Sequence, residues 1–475
     1  MHPFPKNRSL QDLIDETPDL VRYFRNNPVS PHARNRPSSA PLPAEHTNWR
    51  EEQRAWRETA ILFDQSHHMP ELFLKGPDAL KLLSHVGINS FENWGPGRAK
   101  QFIGCNHKGQ IIGESVLHWL AEDHFELISG MQLQDWIQFN AETGGYDVTV
   151  TRDLQTAQNP KGPDGRTNFR FGMDGPNAEK IFQEVVEGQA PDIPFFRTAI
   201  VKIAGVNVMA LRHGMAGHKG VELSGPYAEG QKVRDKILSV GAKYGLKPGG
   251  RLAYFSVSSE SGWWAYPLPA IYTDPELRAF REWLPDTSWG AQAQLSGSLV
   301  CDSVEGYHLT PWETGVSRVM KFDHDFVGRA ALEAMVDKPH RKKVTLVWNP
   351  DDVAAIQSSI FRPGLPCKYI ELPTASYGFP QADAVLDGGG RLIGMAGFAG
   401  STVNEASMVS LAVVEEEHAR PGTSVTLVWG EPDGGTSKPQ VERHRQYEVR
   451  CTVAPAPYAS AVRDMKYAGI GRAAA

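Results

Sequence analysis

Short apolar runs bounded by turn residues, with helical stretches between them, limit most strongly how this chain can fold. Residues 71–76 (ELFLKG) and 124–130 (HFELISG) have the length and composition of strands, whereas residues 77–87 (PDALKLLSHVG) have helical periodicity. Short strands joined by hairpin-like turns favour antiparallel pairing. The sequence therefore predicts an α+β protein with antiparallel sheets.

The two ends of the chain differ from this middle part. Ser9 is followed three residues later by Asp12, a capping-box-like pattern that predicts a helix start. Residues 26–46 contain five prolines and predict a loop. After residue 336 the composition shifts to short strands with Gly and Pro turns, which is typical of a small β-barrel. We predict three parts: an N-terminal helix and Pro-rich loop (1–47), a core (48–340) and a C-terminal β-barrel (341–475).

Charge, hydropathy and cysteine usage disfavour several classes of protein. The 49 Lys and Arg residues against 55 Asp and Glu give a net charge of −6, which offers no electrostatic footprint for nucleic acid. No stretch approaches the ~20 apolar residues of a membrane helix, and no apolar segment of a secretory signal follows the N-terminal basic residues. The four cysteines lie far apart, without a disulfide or CxxC pattern. We expect a cytoplasmic protein that binds neither nucleic acid nor membrane.

The 16 histidines do not have the spacing of a metal site. His67 and His68 are adjacent, so their side chains point in different directions. His213 sits alone in its segment, and HExxH patterns are missing. Dinucleotide-binding, P-loop and nucleophile-elbow motifs are missing as well. We predict that no metal takes part in the function.

Three polar groups stand in apolar or Gly-rich surroundings. His68 lies in the polar cluster 63–69 (FDQSHHM), and a histidine that titrates near neutrality can position or protonate a phenolic oxygen. Glu222 offers a carboxylate that can accept two N–H bonds from an aminopyrimidine edge, which suits a pterin. Tyr254 can donate a proton to a leaving oxygen. These residues alone leave structural roles open: a hydrogen-bonded turn, a surface carboxylate and a core aromatic ring.

Several longer segments occur in a fixed order along most of the chain. They are 170–182 (RFGMDGPNAEKIF), 217–226 (GHKGVELSGP), 310–332 (TPWETGVSRVMKFDHDFVGRAAL), 391–414 (RLIGMAGFAGSTVNEASMVSLAVV) and 421–430 (PGTSVTLVWG). Together they resemble the glycine-cleavage T-protein (aminomethyltransferase) superfamily. The resemblance covers about residues 48–455 and implies a multidomain T-protein-like fold, with a core of two intertwined subdomains that binds folate and substrate.

A second set of segments narrows this resemblance. They are 48–69 (NWREEQRAWRETAILFDQSHHM), 140–148 (NAETGGYDV), 211–217 (LRHGMAG), 260–273 (ESGWWAYPLPAIYT), 281–285 (REWLP) and 321–329 (KFDHDFVGR). They are similar to the tetrahydrofolate-dependent aryl O-demethylases that act on vanillate, 3-O-methylgallate and syringate. The resemblance implies methyl transfer from a methoxylated aromatic acid to N5 of tetrahydrofolate, giving 5-methyltetrahydrofolate and a phenol, in lignin-derived aromatic catabolism.

The same resemblance implies roles for individual residues. Tyr254 falls on the family's catalytic tyrosine and His68 on its substrate-contacting histidine. The folate-holding positions fall on Gln101, Ile128, Glu222 and Trp263, with Glu222 gripping the pterin and Trp263 lining its slot.

The sequence departs from the demethylase pattern at positions that recognise the substrate in that family. The family's carboxylate-binding arginine stands in a V-G-R turn, which is Ile128-Ser129-Gly130 here. The tyrosine of the family's N-terminal loop aligns with Ser39, and its P-S-N-T-L segment is replaced by residues 255–259 (FSVSS). Arg34 or Arg36 on the Pro-rich loop can meet a carboxylate instead. The preferred methoxyarene therefore stays open, and a bulkier or dimethoxylated one is equally compatible.

Two alternatives remain. True aminomethyltransferases carry an aspartate in a G-I-[IL]-D-D segment, which is 109–114 (GQIIGE) here. This difference argues against glycine cleavage and against a lipoyl-protein partner, but a folate-dependent N- or S-demethylase or aminomethyltransferase of the same superfamily stays possible. A folate-binding protein of iron–sulfur assembly is disfavoured, because residues 321–329 lack that group's cysteine motif.

Overall fold

The computed structural model describes residues 7–27, 43–154, 166–215 and 220–464. Arg34, Arg36 and Ser39 lie outside the described residues. The strands are β1 (Ala60–Asp64), β2 (Glu71–Lys75), β3 (Ala99–Cys105), β4 (Ile111–Ala121), β5 (His124–Ser129), β6 (Thr149–Asp153), β7 (Asn168–Asp174), β8 (Thr198–Ile203), β9 (Val206–Arg212), β10 (Val221–Pro226), β11 (Leu246–Gly249), β12 (Lys342–Trp348), β13 (Asp383–Leu386), β14 (Leu392–Thr402), β15 (Ser407–Val414), β16 (Ser424–Trp429) and β17 (Tyr447–Ala454). The helices are α1 (Leu10–Glu16), α2 (Leu20–Asn26), α3 (Trp49–Glu58), α4 (Ala79–Val86), α5 (Met131–Thr143), α6 (Ala178–Val185), α7 (Gly230–Gly241), α8 (Arg251–Phe255), α9 (Val257–Ser261), α10 (Arg278–Trp283), α11 (Arg329–Glu333) and α12 (Pro350–Ser358).

The first sheet has six strands in the order β11-β1-β7-β10-β9-β8. Its pairs are antiparallel except for β1 and β11, which run parallel. Strands β2 to β10 lie between β1 and β11 along the chain, so this pair is not a hairpin. The apolar sides of α6 and α7, including Ile181 and Val233, pack with Phe169 of β7 in one buried core.

The second sheet has five antiparallel strands in the order β3-β4-β5-β2-β6. Its core includes Leu72 and Leu127 from the strands and Leu133 from α5. Leu10 of α1 and Phe24 of α2 belong to the same buried cluster. The N-terminal helices are therefore built into this core.

The C-terminal strands close into a barrel in the order β12-β15-β14-β13-β16-β17. Closure removes unpaired sheet edges. The barrel has its own core, in which Trp348 and Trp429 meet edge to face with ring centroids 5.3 Å apart.

Helices α3, α8 and α9 lie where the first sheet meets the barrel. The Gln53 amide of α3 donates to the Ser256 hydroxyl at 2.8 Å and to the Ser401 carbonyl of β14 at 3.1 Å. Arg57 of α3 pairs with the buried Glu260 of α9 at 2.5 Å, and Thr402 donates to the same carboxylate. These bonds fix the short helix α8 that carries Tyr254.

The fold agrees with the sequence in its main features. The α+β class, the antiparallel sheets, the C-terminal β-barrel and the T-protein-like architecture are confirmed. The side chain of Ser9 accepts from the Asp12 N–H and that of Asp12 accepts from the Ser9 N–H, so the capping box is present. The parallel β1–β11 pair was not expected. The division at residues 47 and 340 stays a prediction, although the first barrel strand begins at Lys342.

Candidate active site

A single cavity of about 1050 Å³ brings together all the residues that the resemblance singles out. Its wall includes Gln101 of β3, Ile128 of β5, Glu222 of β10, Tyr254 of α8, His68 after β1 and Trp263 after α9. These positions are up to 195 residues apart in number, and the two sheets and α8–α9 bring them together. The barrel contributes Lys343, which donates to the carbonyls of Gly262 and Thr314 at 2.9 and 2.7 Å.

Tyr254 is held by a tight turn and by neighbouring rings. Gly250 precedes α8, and a Cβ at this glycine would lie 2.4 Å from the Ala44 carbonyl oxygen, so only glycine fits the approach. The Tyr254 ring meets His68 edge to face at 4.8 Å. Burial, reinforced by the nearby Tyr266 and Glu222, raises the pKa of the Tyr254 hydroxyl well above its ordinary value. The phenol therefore keeps its proton at neutral pH.

His68 is a neutral imidazole. Its backbone N–H donates to the Gln65 carbonyl at 2.9 Å, which closes the turn after β1. Burial lowers the pKa of His68 to about 4, although the Glu222 charge opposes this shift. The expectation that this histidine titrates near neutrality is wrong. Neutral His68 can donate one hydrogen bond to a substrate oxygen and accept another, but at neutral pH it lacks the second, acidic proton of an imidazolium.

Glu222 is an ionised carboxylate inside the cavity. Its Oε1 lies 2.9 Å from Nδ1 of His213, the residue that follows β9 by one position. Burial alone would raise the pKa of Glu222, but His213 and the guanidinium of Arg170 hold it at about 2. The pKa of His213 is raised in turn, because the Glu222 charge outweighs the effect of burial. His213, which sits alone in its own segment, thus finds its partner on the neighbouring strand β10.

Glu114 of β4 is a cavity residue whose contacts the sequence did not reveal. Its Oε2 accepts from the Gln101 amide at 3.0 Å, and its Oε1 accepts from the indole N–H of Trp263. One carboxylate thus joins two of the expected folate-holding residues. The signal in the sequence that could have pointed to Glu114 is a glutamate within the otherwise largely apolar run 111–121.

The turn after Ile128, which differs from the demethylase pattern, carries no cation. Ile128 is 8% exposed and pairs with Val116 of β4. Ser129 and Gly130 follow it on the cavity wall, and Gly130 is the N-cap of α5. The structure thus places this turn at the cavity and supplies no arginine from it.

A buried ion cluster supports the floor of the cavity. Arg170 of β7 donates to Glu71 at 3.0 Å and to Glu126 at 2.9 Å. Burial raises the pKa of Glu126 to about 7, against the opposing charge of Arg170. The guanidinium of Arg170 is thus held by ion pairs with Glu71 and Glu126 beside the cavity.

Among the described residues, one group has the spacing of a metal site, and it lies on the barrel. It consists of Glu415, Glu417 and His418. Arg391 bonds to all three, with its Nη atoms 2.7, 3.0 and 3.1 Å from their ligand atoms. The group is therefore an ion-pair cluster.

Among the helices within the described residues, none combines the length and apolar character needed to span a bilayer.

The fold and the cavity define a protein of the T-protein type, and comparison with known proteins identifies the family. Residues 21–268 match the family described as the GCVT N-terminal domain. The chain belongs to this family, and it is a methyltransferase-type enzyme.

Two curated relatives and one solved structure make the similarity concrete. The chain is 43% identical to a syringate O-demethylase of Sphingobium sp., over 96% of this chain and 97% of the relative. It is 31% identical to a sesamin methylene transferase of Sinomonas sp., over 88% and 90% of the two chains. A crystal structure of the aminomethyltransferase T of Bartonella henselae covers 88% of this chain and 91% of its own, with a TM-score of 0.58 and 16% identity. That structure supports the fold alone.

Proposed function

We propose that this chain is a tetrahydrofolate-dependent O-demethylase of methoxylated aromatic acids. It transfers the methyl group of a vanillate-, syringate- or 3-O-methylgallate-type substrate to N5 of tetrahydrofolate, giving 5-methyltetrahydrofolate and a phenol, in lignin-derived aromatic catabolism. The observation that carries the proposal is the placement of the Tyr254 hydroxyl and the Glu222 carboxylate in one cavity, where burial raises the pKa of the phenol and His213 and Arg170 lower that of the carboxylate. Similarity to a syringate O-demethylase over nearly the whole chain supports it.

The residues of the cavity fit a reduced pterin. Among the described residues, Oε2 of Glu222 accepts no hydrogen bond, so it is available to the N–H edge of an aminopyrimidine. Trp263 is fixed by Glu114 and offers a flat wall, while Gln101 and Ile128 line the same space. When bound, tetrahydrofolate supplies the lone pair of N5 that accepts the methyl group.

Tyr254 and His68 act on the aromatic substrate. As the methyl–oxygen bond breaks, Tyr254 donates its proton to the ether oxygen, so a phenol leaves instead of a phenolate. Neutral His68, in ring contact with Tyr254, orients a ring substituent by a hydrogen bond. The cavity is large enough to hold the two reactants side by side, which lowers the entropic part of the barrier.

The partners are the aromatic substrate and tetrahydrofolate, and no lipoyl-protein, nucleic acid or membrane partner is proposed. We place the reaction in the cytoplasm, which the four free cysteines support.

The test is incubation of the purified chain with tetrahydrofolate and a panel of methoxylated aromatic acids, with detection of 5-methyltetrahydrofolate and the phenol. Parallel arms contain N-methyl and S-methyl compounds as the only methyl donors. The proposal expects folate-dependent transfer from at least one methoxyarene. Transfer from the N- or S-methyl arm alone, or no transfer in any arm, would overturn it.

A further inference from the structure

Gln65 is the polar side chain that touches the reactive oxygen of Tyr254. It follows β1 directly and is 7% exposed. Its Nε2 lies 3.4 Å from the Tyr254 hydroxyl oxygen and 3.9 Å from the sulfur of Met215. Hydrogen bonds at catalytic groups are often long before substrate binds and shorten afterwards.

The chemistry of this contact fixes which atom donates. An amide NH₂ group can only donate, so the Tyr254 oxygen must be the acceptor. The hydroxyl hydrogen of Tyr254 is then not used in the bond to Gln65 and stays available to a substrate in the cavity. The Gln65 contact also acts to lower the pKa of Tyr254, in opposition to burial.

The backbone around Gln65 holds the amide in place. The Gln65 N–H donates to the Arg170 carbonyl at 2.8 Å, and the Gln65 carbonyl accepts from His68 at 2.9 Å. Gly172 of β7 faces the side chain, and a Cβ there would lie 2.9 Å from Nε2. The glycine thus leaves the space that the amide occupies next to Tyr254.

We infer that Gln65 is a positioning residue for proton donation by Tyr254, an inference that rests on the proposed function. During transfer the Tyr254 O–H bond breaks and its proton goes to the ether oxygen, as that oxygen gives up the methyl group. The electron pair stays on the Tyr254 oxygen, and the Gln65 N–H donates to this tyrosinate. A proton from water restores the phenol before the next turnover.

The first experiment measures methyl transfer from a series of methoxybenzoates whose product phenols differ in acidity. Gln65→Met removes the donor at similar volume, and Gln65→Glu replaces it by an acceptor. Both variants should lower kcat about tenfold to hundredfold for the most basic phenols and less for acidic ones. In a Tyr254→Phe background, Gln65→Met should have no further effect on kcat, because the two residues act as a unit.

A matched control separates this role from a general loss of packing. Gln134 of α5 is also buried, and its amide donates to the Pro70 carbonyl at 2.9 Å, away from Tyr254. Gln134→Met should lower stability without changing how kcat depends on phenol acidity. The inference is overturned if Gln65→Met lowers kcat equally for all phenols, or if its effect persists unchanged in the Tyr254→Phe background.

A second readout needs no substrate and no folate. In protein labelled with fluorotyrosine, the fluorine resonance of Tyr254 is assigned by its loss in Tyr254→Phe. Gln65→Met should shift this resonance, and Gln134→Met should leave it unchanged. A shift in protein that transfers no methyl group would contradict the proposed function and leave the Gln65 contact standing; no shift would overturn the contact itself.

Discussion

The His213 imidazole and the Glu222 carboxylate face each other across 2.9 Å inside the cavity, one after β9 and the other on β10. The position of Glu222 inside the cavity would raise its pKa, because burial penalises the charged carboxylate. His213 reverses that tendency. The pair therefore keeps a full negative charge in place for a ligand that offers N–H groups.

Replacement of His213 by Gln should weaken folate binding in a pH-dependent way. Glu222 then loses its main cationic partner and keeps Arg170, while Asp174 remains as a nearby acid. The pKa of Glu222 should rise from about 2, so that affinity falls as the pH is lowered through the new pKa. Loss of one charged hydrogen bond corresponds to about a tenfold increase in Kd. Calorimetric titration with tetrahydrofolate at several pH values measures this Kd and its pH dependence.

The control for this variant is His308→Gln. His308 is another buried histidine, and its Nδ1 lies 3.3 Å from the Gln110 amide oxygen. Its loss should leave the Kd for folate unchanged. An equal effect of both variants, or a pH-independent effect of His213→Gln, would contradict the role of the pair.

Tyr254→Phe should abolish most methyl transfer and spare folate binding. The phenol supplies the proton that turns a phenolate leaving group into a phenol, and such proton transfer contributes about 10²–10⁴ in rate. The ring contacts with His68 and Phe63 do not need the hydroxyl. Single-turnover rates measure the loss, and calorimetry with folate measures the retained affinity. A variant that keeps its rate would exclude Tyr254 as the donor.

Asp174→Asn should change the pH dependence of stability. Burial raises the pKa of Asp174 to about 7, so the folded chain binds this proton more tightly than the unfolded chain. The resulting stabilisation is complete below the ordinary Asp pKa of about 3.9 and is lost as the pH rises through about 7. The Asn variant lacks this loss, so its stability relative to wild type should improve by about 1–4 kcal/mol between low and neutral pH. Denaturant unfolding across the range measures the difference, and parallel curves would contradict the prediction.

Glu114→Gln should loosen Trp263 and raise the Kd for folate. The variant keeps one amide oxygen as an acceptor, but Gln101 and Trp263 both donate to the present carboxylate. An amide NH₂ facing one of these donors cannot form its bond. We expect about a tenfold weaker Kd with little change in unfolding free energy. Calorimetry measures the Kd, and Glu114→Asp serves as the control that keeps the charge.

The strands could be predicted from the sequence and the candidate site residues from the resemblance, whereas the contacts between these residues could not be predicted. Residues 71–76 and 124–130 became β2 and β5 because their apolar pattern fits a sheet. Tyr254 and Glu222 were reached through resemblance, not periodicity. Glu114 and Trp263 are separated by 149 positions, and the folded chain joins them through the hydrogen bond from the Trp263 indole to the Glu114 carboxylate. His213 looked isolated because its partner lies on the next strand of a hairpin whose register the sequence did not reveal.

Glu260→Ala should destabilise the contact between the core and the barrel. Glu260 is 2% exposed and accepts from Arg57 of α3, from Thr402 of β14 and from Asn404. Its removal leaves Arg57 with Glu405 as its remaining ionic partner at 2.8 Å. Arg57 is 18% exposed and keeps Glu405, so we expect a loss of about 1–3 kcal/mol, less than the roughly 3–5 kcal/mol of a fully buried pair broken on one side. Chemical denaturation followed by tryptophan fluorescence should show this loss of unfolding free energy.

Glu333→Ala is the matched control, since its pair with Arg329 is exposed and contributes about 0–1 kcal/mol. Equal stability of the two variants would show that Glu260 does not hold the barrel against the helices that position Tyr254.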